Sequence, residues 1–428
     1  MEKFDAIVVG AGPAGSTSAY VMARAGLKVV VFERGKYPGA KNTWGGALFG
    51  PQLHHLFPRF WDEAPVERFV ARHVLCYLGK RGLISLHLKS MDFESPPYNG
   101  FVLLRARFDS WLAKKAQAAG AILVTGMRID DLMIKDERIV GVKAGKEQFF
   151  ADVVVLAEGV NSLLTGKAGL RKELSPRDLK QGVKEVIRLP SETIEERFNL
   201  RGREGVAMEF IGAPTKGLPG GGFLYTNRDS LSLGLVVELD YLVKRRVRAS
   251  DLLEEFKNHP EVAKLIEGGQ TVEYSAHLIP GGGLKGIPRL YRAGLLVTGD
   301  AASLVLGTGL VLQGANFAIA SGVAAAEAVK VAKQKGDFSE QTLAYYESLL
   351  NTSFVLRDLQ TFKRAPEFLK NERIYETYPE LIFEWLEKIF RDDGQPRDRA
   401  LAILRKIAKD KLQFWRAVSD FLKMWRAI

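Results

Sequence analysis

Cysteine is almost missing from this chain: Cys76 is the only one among 428 residues. No disulfide can form within the chain, and neither an iron–sulfur cluster nor a structural zinc can be held by its cysteines alone. A leader is not evident either. The opening MEKFDAIVVG runs straight into a strand, without a basic n-region or a cleavable apolar segment, so no secretory signal and a cytoplasmic compartment are expected. No internal repeat and no low-complexity tract stand out. No Ser/His/Asp or Cys/His nucleophile pattern is visible, and His54-His55 beside Phe57-Pro58 reads as a turn rather than a metal site. Acidic residues are in deficit, 50 against 61 basic ones, a net charge of +11 that favours an acidic partner, anionic lipid or nucleic acid. The most apolar stretch, 293–329, contains Asp300, Gln313, Asn316 and six glycines, which fits a buried loop and helix better than a membrane span.

What is present is enough apolar sequence, 46% hydrophobic, to build a sizeable core in two or three lobes. The stretch VVGAGPAGSTSAYVMARAGLKVVVFERG (8–35) predicts strand, glycine turn, helix and second strand. In this turn Gly10 permits the tight bend, Gly12 lets backbone approach a pyrophosphate, and Gly15 lets helix and strand pack closely. The helix N-terminus offers unpaired N–H groups to phosphates. Glu33, at the end of the second strand, is placed to accept hydrogen bonds from ribose hydroxyls and to repel a 2′-phosphate. Only one such glycine motif exists, so direct oxidation of NAD(P)H by a second dinucleotide domain is not expected.

FVLLRARFDSWLAKKAQAAGAILV (101–124) reads as a strand end, an amphipathic helix from about Phe108, a stop at Gly120 and another strand. RIVGVKAG and EQFFADVVVLAEG read as a hairpin feeding a buried strand that ends at Glu158. Both segments are expected in the sheet of the opening unit. Strand-like runs in 44–100 and 171–285 suggest a second, mainly antiparallel sheet inserted into the first domain. From about residue 338 the pattern is helical, rich in Phe, Trp, Lys and Arg. Leu404, Ile407, Trp415, Val418, Phe421, Leu422 and Trp425 fall at largely helical spacing, and 401–428 carries seven basic and two acidic residues, net +5. This helix suits either an anionic bilayer surface or a protein partner. KRRVR (244–248) reads as a solvated charge run, with docking to an acidic partner or lipid as its alternative.

Far downstream, RLYRAGLLVTGDAASLVLGTGLVLQGANFAIASGVAAAEAV places a strand, a Gly-Asp-Ala turn, a glycine-rich loop and a long Ala-rich helix. This resembles the distal FAD-binding motif of the large glutathione-reductase-like flavoprotein class. The resemblance implies that Asp300, after Gly299, meets the ribityl chain and that the helix N-terminus at Gly314 and Ala315 faces the flavin ring. It also matches Arg105 to a side chain that contacts the cofactor's phosphates or ribose, and Gly159 to the glycine of an Asp-Gly pair, with Glu158 departing from the usual Asp.

YPGAKNTWGG (37–46), QGVKEVIRLPSETIEERFNL (181–200), GGGFLYTNRDSLSLGLVVELDYLV (220–243) and EYSAHLIPGGG (273–283) together resemble the FixC-type relatives of electron-transfer-flavoprotein:quinone oxidoreductase over essentially the whole chain. The resemblance implies an α/β fold: a glutathione-reductase-like Rossmann FAD domain, an inserted antiparallel-sheet quinone domain and a helical C-terminal region. The corresponding segments are 1–70 (running into the inserted domain), 101–170 and 286–340 for the FAD domain, 71–100 and 171–285 for the quinone domain, and 341–428 for the helical region. It adds Ala14, Arg34, Lys41, Asn42 and Gly46 to the residues expected at a noncovalent FAD, and Gly220 and Gly221 to a quinone carbonyl. It further implies partners: the alpha and beta subunits of an electron-transfer flavoprotein in a bifurcating, NADH-linked complex, a menaquinone or ubiquinone acceptor, and the inner face of the cell membrane, with no nucleic acid. With one cysteine here, the iron–sulfur cluster of the single-chain relatives would ride on a small ferredoxin-like subunit. Two other readings share the architecture: a prenyl-lipid or geranylgeranyl reductase, whose aromatic YxWxFP-like signature is replaced here by GGGFLYTN, and a flavin-bearing scaffold without its own turnover.

Overall fold

A computed structural model describes residues 3–40, 45–411 and 414–427. Continuous Val/Ile/Leu runs form an eight-stranded sheet because strands buried on both faces need no polar alternation. Its strand order is Tyr291–Arg292, Leu295–Val297, Glu147–Leu156, Lys3–Val9, Val29–Glu33, Ile122–Thr125. Lys3–Val9 pairs in parallel with both Glu147–Leu156 and Val29–Glu33. The hairpin Arg138–Ala144 feeds Glu147–Leu156 antiparallel, as its turn residues predict. Helix Pro13–Arg24 connects the first two parallel strands, and helix Ala315–Lys335 packs against it. Among the described residues, Ala315–Lys335 is the one helix long and apolar enough to cross a membrane, yet Ala324, Ala325, Ala328 and Val329 are buried in the core.

The second sheet has nine strands. Its order is Gln270–Pro280, Leu179–Arg188, Ser230–Glu238, Gly220–Thr226, Glu204–Gly212, Val66–Gly79, Gly100–Leu104, Gly45–Phe49, with Gly82–Lys89 on Val66–Gly79. Its pairings are antiparallel except for Glu204–Gly212 beside Val66–Gly79. One outer face is closed by helix Ala249–Asn258, which drives Phe256 against Phe210.

Strand Gly100–Leu104 corrects the reading that joined it to the opening unit: it pairs with Gly45–Phe49 and Val66–Gly79 in the second sheet. Buried nearly throughout, GFVLL has no alternation that could distinguish one sheet from the other. The helix after it begins at Arg105, three residues before Phe108, directly from the strand. Gly45–Phe49 and Val66–Gly79 pair in the second sheet, as the strand-like runs of 44–100 predict, so the first segment has run into the inserted domain by residue 45.

The C-terminal part is helical, from Glu340–Leu343 through Thr377–Phe390, Ala400–Lys411 and Phe414–Ala427. Tyr346 donates its hydroxyl to the Val297 carbonyl at 3.0 Å, which ties this part to the first sheet. Arg373 binds Asp420 through two hydrogen bonds of 2.7 and 2.9 Å and so holds the last helix against the body.

Candidate functional site

A cavity of about 670 Å³ lies between the two sheets. One end is the glycine turn. Gly10 has φ +103°, and a Cβ there would stand 2.3 Å from the Ala157 carbonyl oxygen, so only glycine fits. A Cβ on Gly12 would meet nothing within 4 Å: this residue opens onto the cavity. Helix Pro13–Arg24 starts there with no side-chain cap and no acid in its first turn, which leaves its positive end to the cavity. Glu33 accepts hydrogen bonds from the N–H of Ala11 (3.0 Å) and of Gly35 (2.6 Å), which fixes the carboxylate beside the turn.

The remaining expected residues divide into three groups. Ala14, Arg34, Arg105, Gly159, Asp300, Gly314 and Ala315 join Gly10, Gly12 and Glu33 in the cavity lining, although the farthest apart, Gly10 and Ala315, stand at opposite ends of the FAD-domain segments in sequence. Gly15, Gly46 and Gly299 stand outside it: Gly15 packs on Gly10, Gly46 pairs with Leu103, and Gly299 packs on Ala14. Lys41 and Asn42 lie outside the described residues.

Arg105 is buried and grips Asp109 through Nε–Oδ1 (2.7 Å) and Nη2–Oδ2 (2.8 Å). Burial opposes its charge, but Asp109 more than compensates and holds the guanidinium raised above its ordinary value. Glu158 turns its carboxylate to the next helix and accepts from the N–H of Leu164 (3.0 Å) and Thr165 (2.8 Å) and from the Thr165 hydroxyl (2.8 Å). Burial raises the Asp300 carboxyl above the usual range, against the pull of His277 and Arg105.

Gly220 and Gly221, expected at the quinone, do not line the cavity. A Cβ on Gly220 would be 2.2 Å from the Val236 oxygen and one on Gly221 would be 2.8 Å from the Phe210 oxygen, so strand packing demands both glycines. The wall nearby is made instead by Phe223 and Val236. The second sheet also contributes Gly182, Lys184, Ser275 and His277. Burial lowers His277 below the ordinary imidazole value, with Asp300 opposing, and lowers Lys184, with Glu273 opposing. Sequence reasoning did not single out Lys184 or His277, although a lysine inside the apolar strand GVKEVIRL was a signal.

Two other expectations concern the surface. In KRRVR, Lys244 pairs with Asp240, Arg245 with Glu372 and Arg248 with Asp251, as in a solvated charge run. His54 stacks on Trp61 with ring centres 5.0 Å apart.

Three family models match: "ETF-QO, ubiquinone-binding" over residues 180–279, "ETF-QO/FixC family C-terminal domain" over 365–428, and "Thi4 family" over 1–54. The chain is 43% identical to "Protein FixC" of Escherichia coli K12 over 420 residues, 98% of each protein. It is also 43% identical to the "Probable electron transfer flavoprotein-quinone oxidoreductase YdiS" of the same strain, over 95% of each. Among solved structures it resembles a geranylgeranyl bacteriochlorophyll reductase-like protein of Thermoplasma acidophilum, with a TM-score of 0.73 and 21% identity over 99% of this chain and 100% of the other. It also resembles the myxobacterial halogenase CndH, with a TM-score of 0.63 and 18% identity over 100% of this chain and 91% of the other. At those identities the solved structures establish the fold. The sequence relatives establish more: the chain belongs to the ETF-QO/FixC family of oxidoreductases.

Proposed function

We propose that the chain holds FAD noncovalently along the cavity and passes electrons received from an electron-transfer flavoprotein to a membrane quinone. One observation carries this reading. The glycine turn, Arg105, Gly159, Asp300 and Gly314-Ala315 converge on one cavity, and its other wall comes from the segment that matches the ubiquinone-binding family model.

The residues present suit that cofactor. Gly12 leaves room for a pyrophosphate at the positive helix end, Glu33 is fixed where ribose hydroxyls would reach it, and Ala315 begins a long helix whose N-terminal dipole favours negative charge on a reduced ring. Bound FAD would supply exchange between one- and two-electron carriers. Phe223, Val236 and Ile279 give the second wall an apolar surface suited to a quinone ring, and they take the place expected of Gly220 and Gly221.

Family membership and the cysteine count support the reading of the partners. The segment 365–428 contains no cysteine, so a cluster in the assembly would belong to a separate ferredoxin-like subunit, beside the two flavoprotein subunits of a bifurcating complex. Helix Phe414–Ala427 exposes Trp415, Phe421, Leu422 and Trp425 alongside Arg416, Lys423 and Arg426, a composition suited to the anionic inner face of a membrane. The test is direct. Purified protein should take up one FAD per chain and, once reduced anaerobically, be reoxidised by a soluble quinone analogue. A colourless protein that cannot take up FAD refutes the reading, and reduction of an unsaturated prenyl lipid would favour the reductase alternative.

A further inference from the structure

Reducing a quinone to the quinol takes two electrons and two protons. A reduced flavin with an ionised ring carries two electrons and one proton, so one proton must come from the protein. The wall that the second sheet turns to the cavity consists of Gly182, Val183, Lys184, Phe223, Val236, Ser275, His277 and Ile279, with no carboxylate among them. Two of these side chains titrate. Burial disfavours the charged, proton-donating form of His277. Lys184 keeps a carboxylate partner for its charged form, Glu273.

Its surroundings form a path. Lys184 projects from strand Leu179–Arg188 with its side chain 5% exposed, and its ammonium meets the Glu273 carboxylate at 3.2 Å, whose own side chain is 44% exposed. The pair therefore joins the cavity to solvent at the sheet edge, since Gln270–Pro280 ends the strand order. The charged groups acting on Lys184 are Glu273 from that edge strand and Arg105 from helix Arg105–Ala118. Next to it in its own strand, Glu185 points to the opposite face and is bound by Lys257 and Thr271. The facing strand Ser230–Glu238 places Gly234 and Ser275's strand places a neutral hydroxyl directly across from it.

We propose that Lys184 is the proton donor to the bound quinone and that Glu273 is its link to solvent. This rests on the quinone-reductase reading. In the step, two electrons and a proton leave the reduced flavin, an Nζ–H bond of Lys184 breaks, and both quinone oxygens end as O–H. Neutral Nζ then regains a proton from water by way of the Glu273 carboxyl.

The experiment compares FAD-loaded wild type, K184M, K184R and E273Q. Each is reduced anaerobically and mixed with a water-soluble quinone analogue over a range of pH, with flavin absorbance reporting reoxidation. K184M and K184R should both be slower by about tenfold or more, because arginine keeps the charge but does not release its proton. The wild-type rate should hold at low pH and fall as pH rises through the lysine pKa, below the ordinary lysine range. E273Q should move that fall to still lower pH, since the carboxylate that favours the ammonium is gone. A second readout needs no turnover: the midpoint potential of the bound flavin should drop in K184M and be retained in K184R. A wild-type rate and pH profile in K184R, an unmoved profile in E273Q, or an unchanged potential in K184M overturns the proposal. A wild type that binds FAD and never reoxidises with quinone sinks the functional reading and this inference together; a wild type that reoxidises beside an equally fast K184R sinks this inference alone.

Discussion

At the scale of single residues, the two glycines of the turn do different work, and substitutions should separate them. Gly10→Ala places a methyl group 2.3 Å from a carbonyl oxygen at a positive φ, so it should cost about 1–3 kcal/mol or more and lower the melting temperature even without cofactor. Gly12→Ala meets no protein atom within 4 Å, so melting of the cofactor-free protein should stay within about 0.5 kcal/mol while FAD affinity falls tenfold or more. Melting curves and FAD titrations of both variants check the pair, and equal losses of stability would contradict it. Glu209 offers a different test. It sits opposite Phe223 in the second sheet, and burial pushes its carboxyl up to about 8. A carboxyl raised in the folded state binds its proton more tightly there than in the unfolded chain. Its stabilising effect is complete below the ordinary glutamate range and is lost as pH rises toward about 8, at up to about 1.4 kcal/mol per pH unit. Glu209→Gln should flatten that part of the stability profile and melt above wild type at alkaline pH.

At the scale of elements, the last helix combines a buried anchor with an exposed aromatic face. Asp420 is buried, bound by Arg373 and by the Tyr378 hydroxyl, and the guanidinium holds its carboxyl well below the usual range. Trp415 and Trp425, by contrast, are 79% and 78% exposed. Replacing both with glutamate should abolish cosedimentation with anionic vesicles and leave FAD content unchanged. Binding that survives the change would assign this face to a protein partner instead. Arg373→Ala should release the helix and speed proteolytic loss of the C-terminal segment without altering FAD content.

Elements also mark where sequence reading stops. The glycine turn and the Gly-Asp-Ala turn were legible because close backbone approach and positive φ are local steric demands. GFVLL was assigned to the other sheet because a strand buried on both faces has no alternation to read. Gly220 and Gly221 are expected at a quinone carbonyl by resemblance alone, and the close approach of the neighbouring strands requires glycine at both.

At the scale of the whole molecule, the cavity is a seam between two sheets, each with its own apolar core. A cofactor that bridges the seam should stabilise both halves at once. FAD at about 100 times its dissociation constant should contribute about 2.7 kcal/mol, visible as a raised melting temperature that depends on FAD concentration. Separate transitions of unequal FAD dependence would mean that only one half binds it.

By itself the sequence determined the local chemistry: a phosphate-ready turn, a carboxylate at the end of the second strand, a Gly-Asp-Ala turn before a long helix, and too few cysteines for a cluster. These depend on neighbours a few residues away or on a count. Only the tertiary structure decided which side chains share the cavity. Whether Lys184 and His277 face it depends on strand register, and a shift of one residue would turn each of them to the opposite face of the sheet.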